Sequence, residues 1–378
     1  MSATVSSSEP FSTEGYFHTQ RPPAGLEEKS EKMHAFVEQW KAVKGKKVVL
    51  VTVSSPAFSI LLIVIRAVEL QYRWSRTPGT RGATSAEYFL SQGYAVIFLH
   101  RLHSLRPFSR HYSHSLNPFL DLLSIVPSSS SSSSSIVVSP EHTQTLLPIL
   151  KAYHESQSSG TLLSVEFQTV NDYLWLLKAV TASMASLGRR GMYYLAAAVS
   201  DFFLPEEKVA EHKIQSNKGT LSLEMDQVPK VMRPLVQEWT PEGYIVSFKL
   251  ETDTALLIPK SRAALSRYGH QLVIGNELHR RKHEVVFVER ATPSSKGTGD
   301  DQIKGSVTPP IVAGSDLGVV GFPRKEEYKE TWLRLDDLKN DGHAGGKGRD
   351  GEVEIEEMIV KELLNRHQYW MDAKATRE

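Results

Sequence analysis

The chain has 378 residues, 40% of them hydrophobic, which is enough for one large or two ordinary domains around a buried core. Its 44 basic residues are balanced by 43 acidic ones, and this formal net charge of +1 argues against broad electrostatic capture of nucleic acid or of an anionic membrane. Cysteine is absent, so disulfides, thiolate nucleophiles and cysteine-ligated zinc or iron–sulfur sites are excluded, and any thiol chemistry must belong to a substrate.

The opening MSATVSSSEPFSTEGYF lacks the basic stretch and apolar run of a secretory signal and the Arg-rich pattern of a transit peptide, so a cytoplasmic location is expected. Residues 1–45 read as an N-terminal extension and helix. KVVLVT follows as a short β-branched run, suited to a strand buried on both faces. Residues 48–65 are the one membrane candidate, but Thr52, Ser54, Ser55, Pro56 and Ser59 interrupt them and Arg66 and Glu69 follow at once. A span needs about 20 mainly apolar residues. ATSAEYFLSQGYAVIFLHR supplies a helix from about Ala83, a stop at Gly93 and a second strand from Tyr94. Strand, helix, strand is the crossover unit of a parallel sheet. LLSVEFQTV, NDYLWLLKAVTASMASLG, MYYLAAAVSDF, a helix near KVMRPLVQEW, YIVSFKL, a helix in PKSRAALSRYG, QLVIGN and HEVVFVER continue the alternation. The expected fold is α/β: a doubly wound, mostly parallel Rossmann-like sheet over residues 46–290, with helices on both faces and ligands beyond the carboxyl ends of the strands. The serine tract at 127–136 is expected as a mobile surface loop. The Gly-, Lys- and Asp-rich residues 291–350 read as a flexible insertion, and 351–378 as a closing helix of the same domain.

Several stretches have the residue types for chemistry. LAAAVSDFFLP puts Ala196, Ala197 and Ala198 at a strand end and Asp201 at a turn; small residues let a ligand approach the backbone, while the carboxylate suits hydrogen bonding or a helix cap equally well. HKIQS places Lys213 in a polar segment, as an anion partner or a solvated cation. Phe248 and Lys249 end YIVSFKL, an aromatic–cation pair that suits a purine beside phosphates or a core Phe beside an exposed Lys. Asn276 precedes the basic run Arg280, Arg281, Lys282 and His283, which reads as a triphosphate grip or as a charged turn. His100, His103, His111 and His114 have no standard zinc spacing, so no metal ligands are assigned. No complete P-loop or G-x-S-x-G is present, and the one G-x-G-x-x-G, at 346–351, follows no apolar strand run.

In this order GTRGATSAEYFLSQGYAVIFLHR, LAAAVSDFFLP, HKIQS, VPKVMRPLVQEW, YIVSFKLETD, VIGNELHRRKHEVVFV and VEIEEMIVKELL resemble the eukaryotic phosphopantothenate–cysteine ligases. The resemblance implies an ATP-dependent ligase of coenzyme A biosynthesis. The carboxylate of 4'-phosphopantothenate would attack the α-phosphate of ATP, with Mg2+ on the triphosphate, and the amine of L-cysteine would displace AMP from the acyl-adenylate. It implies Ala197, Ala198 and Asp201 for phosphopantothenate, with Asp201 and Lys213 as catalytic residues. Gly79, Gly82, Lys213, Phe248, Lys249, Asn276 and Lys282 would bind the nucleotide. It also implies a homodimer with part of the site reaching across the interface, a possible coenzyme A biosynthesis complex, and neither nucleic acid nor membrane as partner. A catalytically impaired scaffold or regulatory member of the family is the alternative.

The departure is as specific as the match. After its first strand the family has a glycine-rich turn of the kind SGGT and then a segment resembling R-F-I-D-N-F-S-x-G-x-R-G, whose asparagine helps hold the acyl-adenylate. Here VSSPAFSILLIVIRAVELQYRWSRTPGTRG follows, and the asparagine's place falls on Ser75. Glycine-freed amides cradle phosphate at such turns, and Val53, Ser54, Ser55 and Pro56 do not substitute simply. Either the family site is lost in this chain or residues 53–78 are non-coding text read in place of an exon segment. The abrupt stop after Thr52 and the abrupt resumption at Gly79 favour the second, and a spliced transcript that still encodes VSSPAFSILLIV rules it out.

Overall fold

The computed structural model describes residues 12–54, 80–112, 119–127, 134–203, 225–291, 327–340 and 354–375. Its first strand, β1 (Val48–Val53), is buried along its whole length. Successive side chains of a strand point to opposite faces. Val48 and Leu50 enter one buried cluster, and Val49, Val51 and Val53 enter another. Two-sided burial is why this run reads as unbroken apolar text, and it requires helices on both faces.

On one face lie α1 (Thr13–Thr19), α2 (Leu26–Lys41) and α5 (Val170–Ala185), contributing Tyr16, Met33, Val37, Leu174 and Leu177. The opposite face is covered by α3 (Thr80–Ser91) and α7 (Ile355–Ala375), through Ala83, Ala86, Phe89, Ile359 and Leu363. The N-terminal helices are therefore part of the core, and Tyr16 Oη donates to Asn171 Oδ1 at 2.9 Å. At the start of α5, Thr169 and Asp172 form a reciprocal capping box, satisfying amides the first turn leaves open.

The remaining strands are β2 (Ala95–Arg101), β5 (Leu162–Phe167), β6 (Gly191–Leu195), β9 (Tyr244–Glu251), β10 (Leu272–Glu277), β11 (Glu284–Arg290) and β12 (Tyr328–Arg334). The sheet runs β5-β2-β1-β6-β9-β10-β11-β12, parallel from β5 to β10 and antiparallel beyond. Helix α4 (Pro140–Ser158) leads into β5, and α6 (Thr254–Tyr268) links β9 to β10, ending at Gly269 with φ 79°. That left-handed conformation suits glycine.

The basic run forms a short charged turn joining β10 to β11, one of its two sequence readings, and the parallel order ends there. The helix near KVMRPLVQEW is present but short, one α turn (Met232–Pro234) running into a π turn (Leu235–Trp239), with Pro234 in the first turn, where a missing amide forfeits no helical hydrogen bond. The stretch expected as a flexible insertion contains the edge strand β12, whose Tyr328 and Trp332 pack beside Leu257 and Val286. The serine tract ends inside a two-stranded ribbon of β3 (Leu123–Pro127) and β4 (Ser134–Val138), where Ser134 and Ser135 face Pro127 and Val126. Residues 128–133 lie outside the described residues.

Candidate active site

Strand β1 pairs with β2 on one side and with β6 on the other. From β1 the chain builds outward to β2 and β5, then crosses back to β6 and builds the other way to β9 and β10. This reversal opens a crevice at the carboxyl ends of β1 and β6, where open α/β sheets receive ligands.

The last hydroxyls of β1 hold the segment after β6. Thr52 Oγ1 accepts from the Ala197 amide at 3.2 Å, and Ser54 Oγ donates to the Ala198 carbonyl at 2.6 Å. Farther on, the Asp201 carbonyl accepts from the Val228 amide at 2.9 Å, and the Phe202 amide donates to Ser200 Oγ at 3.2 Å. The short strand β7 (Phe202–Phe203) then pairs with β8 (Asp226–Gln227). Asp201 thus leads into a strand and caps no helix; its exposed carboxylate pairs with Lys230 at 3.0 Å.

Across the crevice, β9 and β10 bring three expected residues into register, with Phe248 beside Ile274, Lys249 beside Gly275, and Asn276 beside Leu250. Phe248 packs edge-on against Tyr194 with centroids 4.8 Å apart, and the Tyr194 hydroxyl hydrogen-bonds Ser85 of α3 at 2.9 Å. Lys249 pairs with Glu251 at 3.2 Å, and Lys260 meets the other carboxylate oxygen at 2.7 Å. Burial pushes the Glu251 carboxyl up, but the hydrogen bonds from Lys260 and Lys249 outweigh it and hold the group below its ordinary range. Asn276 is buried, and its Oδ1 has no hydrogen-bond partner among the described residues. An orphaned buried acceptor costs about 1–3 kcal/mol, so its presence at a strand end marks a place for a donor.

Lys282 is exposed in the turn at 278–283. Glu277 shapes that turn by accepting from the amides of His279 and Arg280, both at 2.9 Å. Arg81, in the first turn of α3, donates to the Arg281 carbonyl from the other side, and its Nε lies 3.7 Å from Glu356 on α7. A cation in a helix's first turn opposes the helix dipole, and Glu356 offsets that cost. Burial drives the Glu356 carboxyl up, while Arg81 opposes the rise. Gly82 is buried against β1: a β-carbon there would overlap the Val53 side chain, so glycine is what lets α3 touch the strand.

A half-buried charge network braces this half. Arg110 reaches Glu87 of α3 at 2.8 Å and Glu354 at 2.7 Å, and the Tyr88 hydroxyl donates to Glu354 at 3.1 Å. Burial alone would raise the Glu87 carboxyl, yet the hydrogen bond from His111 and the Arg110 charge hold it below the usual carboxylate range.

The structure therefore gathers Ala197, Ala198, Asp201, Gly82, Phe248, Lys249, Asn276 and Lys282 at one end of the sheet, with Gly82 beneath the surface as a packing contact. Gly79, Lys213 and Ser75 lie outside the described residues. Thr52, Ser54, Arg81, Glu277 and Glu356 escaped the sequence reading. Hydroxyls closing β1 and a carboxylate just before a basic turn were usable signals; Glu356, far along the chain, gave none. Among the described residues no three His, Asp or Glu side chains come together as a metal site, and no helix is long and apolar enough to cross a membrane.

Comparison with known proteins bears on the same end of the sheet. Residues 160–293, which carry β6, β9, β10 and the turn after it, match the family model "DNA/pantothenate metabolism flavoprotein C-terminal domain". The human phosphopantothenate–cysteine ligase is 39% identical over 289 residues, 75% of this chain and 89% of that protein. A solved structure of a Cab2 mutant in complex with phosphopantothenate-cysteine superposes with a TM-score of 0.68 at 34% identity, covering 96% of this chain and 99% of that one. The yeast (Saccharomyces cerevisiae) phosphopantothenate–cysteine ligase CAB2 is 34% identical over 385 residues, 96% of this chain and 88% of that protein. Similarity of that extent, running through both sides of the crevice, shows that the chain belongs to the phosphopantothenate–cysteine ligase family.

Proposed function

We propose that this chain joins 4'-phosphopantothenate to L-cysteine, with ATP activating the acid as an acyl-adenylate. The observation that carries the reading is the convergence at one sheet end of Ala197, Ala198 and Asp201 on one side of the crevice and Phe248, Lys249 and Asn276 on the other. Small side chains at 196–198 leave room for an acid beside the backbone, and the orphaned Asn276 Oδ1 suits the exocyclic amine of a base. Phe248 offers a ring edge at the same strand end. Lys249 would leave Glu251 to meet phosphate, which Lys260 makes less costly by remaining as that carboxylate's partner. Lys213 and Asp201 are assigned to charge around the reacting carboxylate by resemblance. Magnesium, where the reaction uses it, would offset charge on the triphosphate; among the described residues no three His, Asp or Glu side chains come together to hold it. The reaction belongs in the cytoplasm, without nucleic acid or membrane as partner, and a coenzyme A biosynthesis complex is its natural setting.

A homodimer is part of the proposal. Ile125 and Ile136 face each other across the β3–β4 ribbon and are 74% and 71% exposed. A ribbon of only two strands is marginal alone, so an apolar covering from a second copy fits it.

One observation favours a second reading, a catalytically silent scaffold or regulator. Where β1 meets α3, Val53 fills the contact with Gly82 and Ser54 commits its hydroxyl to Ala198. Purified protein given 4'-phosphopantothenate, cysteine and either ATP or CTP separates the readings. The ligase requires cysteine-dependent release of AMP and pyrophosphate; a folded dimer that turns over with neither nucleotide supports the silent member.

A further inference from the structure

We infer that Phe202, with Val199, is the specificity-determining apolar contact for the dimethyl-bearing carbon of the acid substrate. The inference rests on the proposed substrate and goes beyond it, because the residues assigned so far address polar ends or backbone space. 4'-Phosphopantothenate carries a phosphate and a carboxylate at its ends, and between them a quaternary carbon bearing two methyl groups. Those methyls need an apolar surface, and polar groups alone would accept an analogue lacking them almost as well.

The segment after β6 presents such a surface in a fixed position. Its backbone is held through Ala197, Ala198, Asp201 and Phe202, and by pairing of β7 with β8. Adjacent side chains of a strand point to opposite faces. Phe203 goes inward, 4% exposed, and packs edge-on against Tyr16 with centroids 5.2 Å apart. Phe202 therefore points away from that cluster and is 52% exposed, while Val199 is 41% exposed. Phe202 follows Asp201 directly and Val199 precedes it by two residues, beyond the carboxyl end of β6. An aromatic ring displayed by an anchored backbone at the mouth of the crevice has the chemistry to cover two methyl groups, whereas a ring placed only for stability would turn inward as Phe203 does.

The test pairs a protein change with a ligand change. Phe202→Ala and Phe202→Leu are compared with wild type on 4'-phosphopantothenate and on an analogue with CH2 in place of the dimethyl carbon, by turnover and by calorimetric titration. Phe202→Ala is expected to weaken the natural acid about tenfold, in KM and in Kd, while changing the analogue less than twofold. Leucine should recover most of the loss, with the nucleotide KM unmoved. Equal losses for both acids, or a change confined to the nucleotide, overturn the assignment. Wild-type protein that binds neither acid removes the proposed substrate itself and this inference with it. Wild-type protein that binds the natural acid, with a Phe202→Ala variant indistinguishable from it, removes only the role of Phe202.

Discussion

The two sides of the crevice are held together by different physics. On the α3–α7 side, half-buried charges do the holding: Arg110 between Glu87 and Glu354, and Arg81 between Glu356 and the Arg281 carbonyl. The loop after β6 relies on neutral hydroxyl and amide bonds from β1 and leaves Ala198, Val199, Asp201 and Phe202 exposed. The first arrangement fixes position at the cost of sensitivity to charge and pH. The second leaves Val199, Asp201 and Phe202 for recognition, and changes there should touch ligands before they touch the fold.

The largest break falls on the charged side. Arg110→Ala leaves two half-buried carboxylates without their shared cation; removing one partner of a buried pair costs about 3–5 kcal/mol, and partial exposure puts this loss at the lower end, about 3 kcal/mol. Urea denaturation should show the unfolding free energy falling by that amount, with Arg110→Met milder than Ala because it keeps volume. A loss below about 1 kcal/mol would mean that the network is solvated and braces nothing.

Much of this division was legible in the sequence, and the rest was hidden for physical reasons. The run KVVLVT announced a doubly buried strand because both faces demanded apolar residues, and the Ala196–Ala198 cluster announced a close approach at a strand end. β12 was not visible because its flanks are rich in Gly, Lys and Asp, while Tyr328, Trp332 and Leu333 only half-bury at a sheet edge. Arg81 and Glu356 could not be paired from a sequence, since their contact depends on how α7 returns across α3. Gly82 makes a helix–strand contact with Val53, a use the sequence could not display, because it requires the same missing side chain as a ligand-binding glycine.

A smaller effect sharpens the contrast through pH. His367 on α7 accepts from the Tyr94 hydroxyl at 2.8 Å through Nδ1 and donates from Nε2 to the Arg189 carbonyl at 2.8 Å, a neutral tautomer fixed by a carbonyl that only accepts. Burial pushes its pKa down to about 4, and burial does the same to His270. Below about pH 6.5 the unfolded chain takes up protons that these folded histidines refuse, so stability is full above that value and falls until the folded pKa near 4 is reached. The loss is about 3 kcal/mol for each histidine. Glu87 adds a loss at lower pH still, as pH falls through its depressed pKa, and Glu356, pushed up, works in the opposite direction. His367→Gln keeps the polar contacts without the titration, so its urea midpoint between pH 7 and pH 4.5 should decline less steeply than wild type. Parallel curves would show that His367 already protonates in the folded state.

The smallest change belongs to the neutral side. Ser54→Ala removes the donor to the Ala198 carbonyl, and Thr52→Val removes the acceptor of the Ala197 amide. Neutral hydrogen bonds of this kind contribute about 1 kcal/mol each. Because the Ala198 carbonyl is at an exposed position, water replaces Ser54 readily, whereas the half-buried Ala197 amide loses its partner where water reaches less freely. Thr52→Val should therefore cost more than Ser54→Ala although it preserves side-chain volume. Both should raise the KM for the acid more than for the nucleotide, since the segment they release carries Ala197, Ala198 and Asp201. Equal effects on both substrates would show that the two sides move as one body, and the division between charged and neutral anchoring would then have no functional meaning.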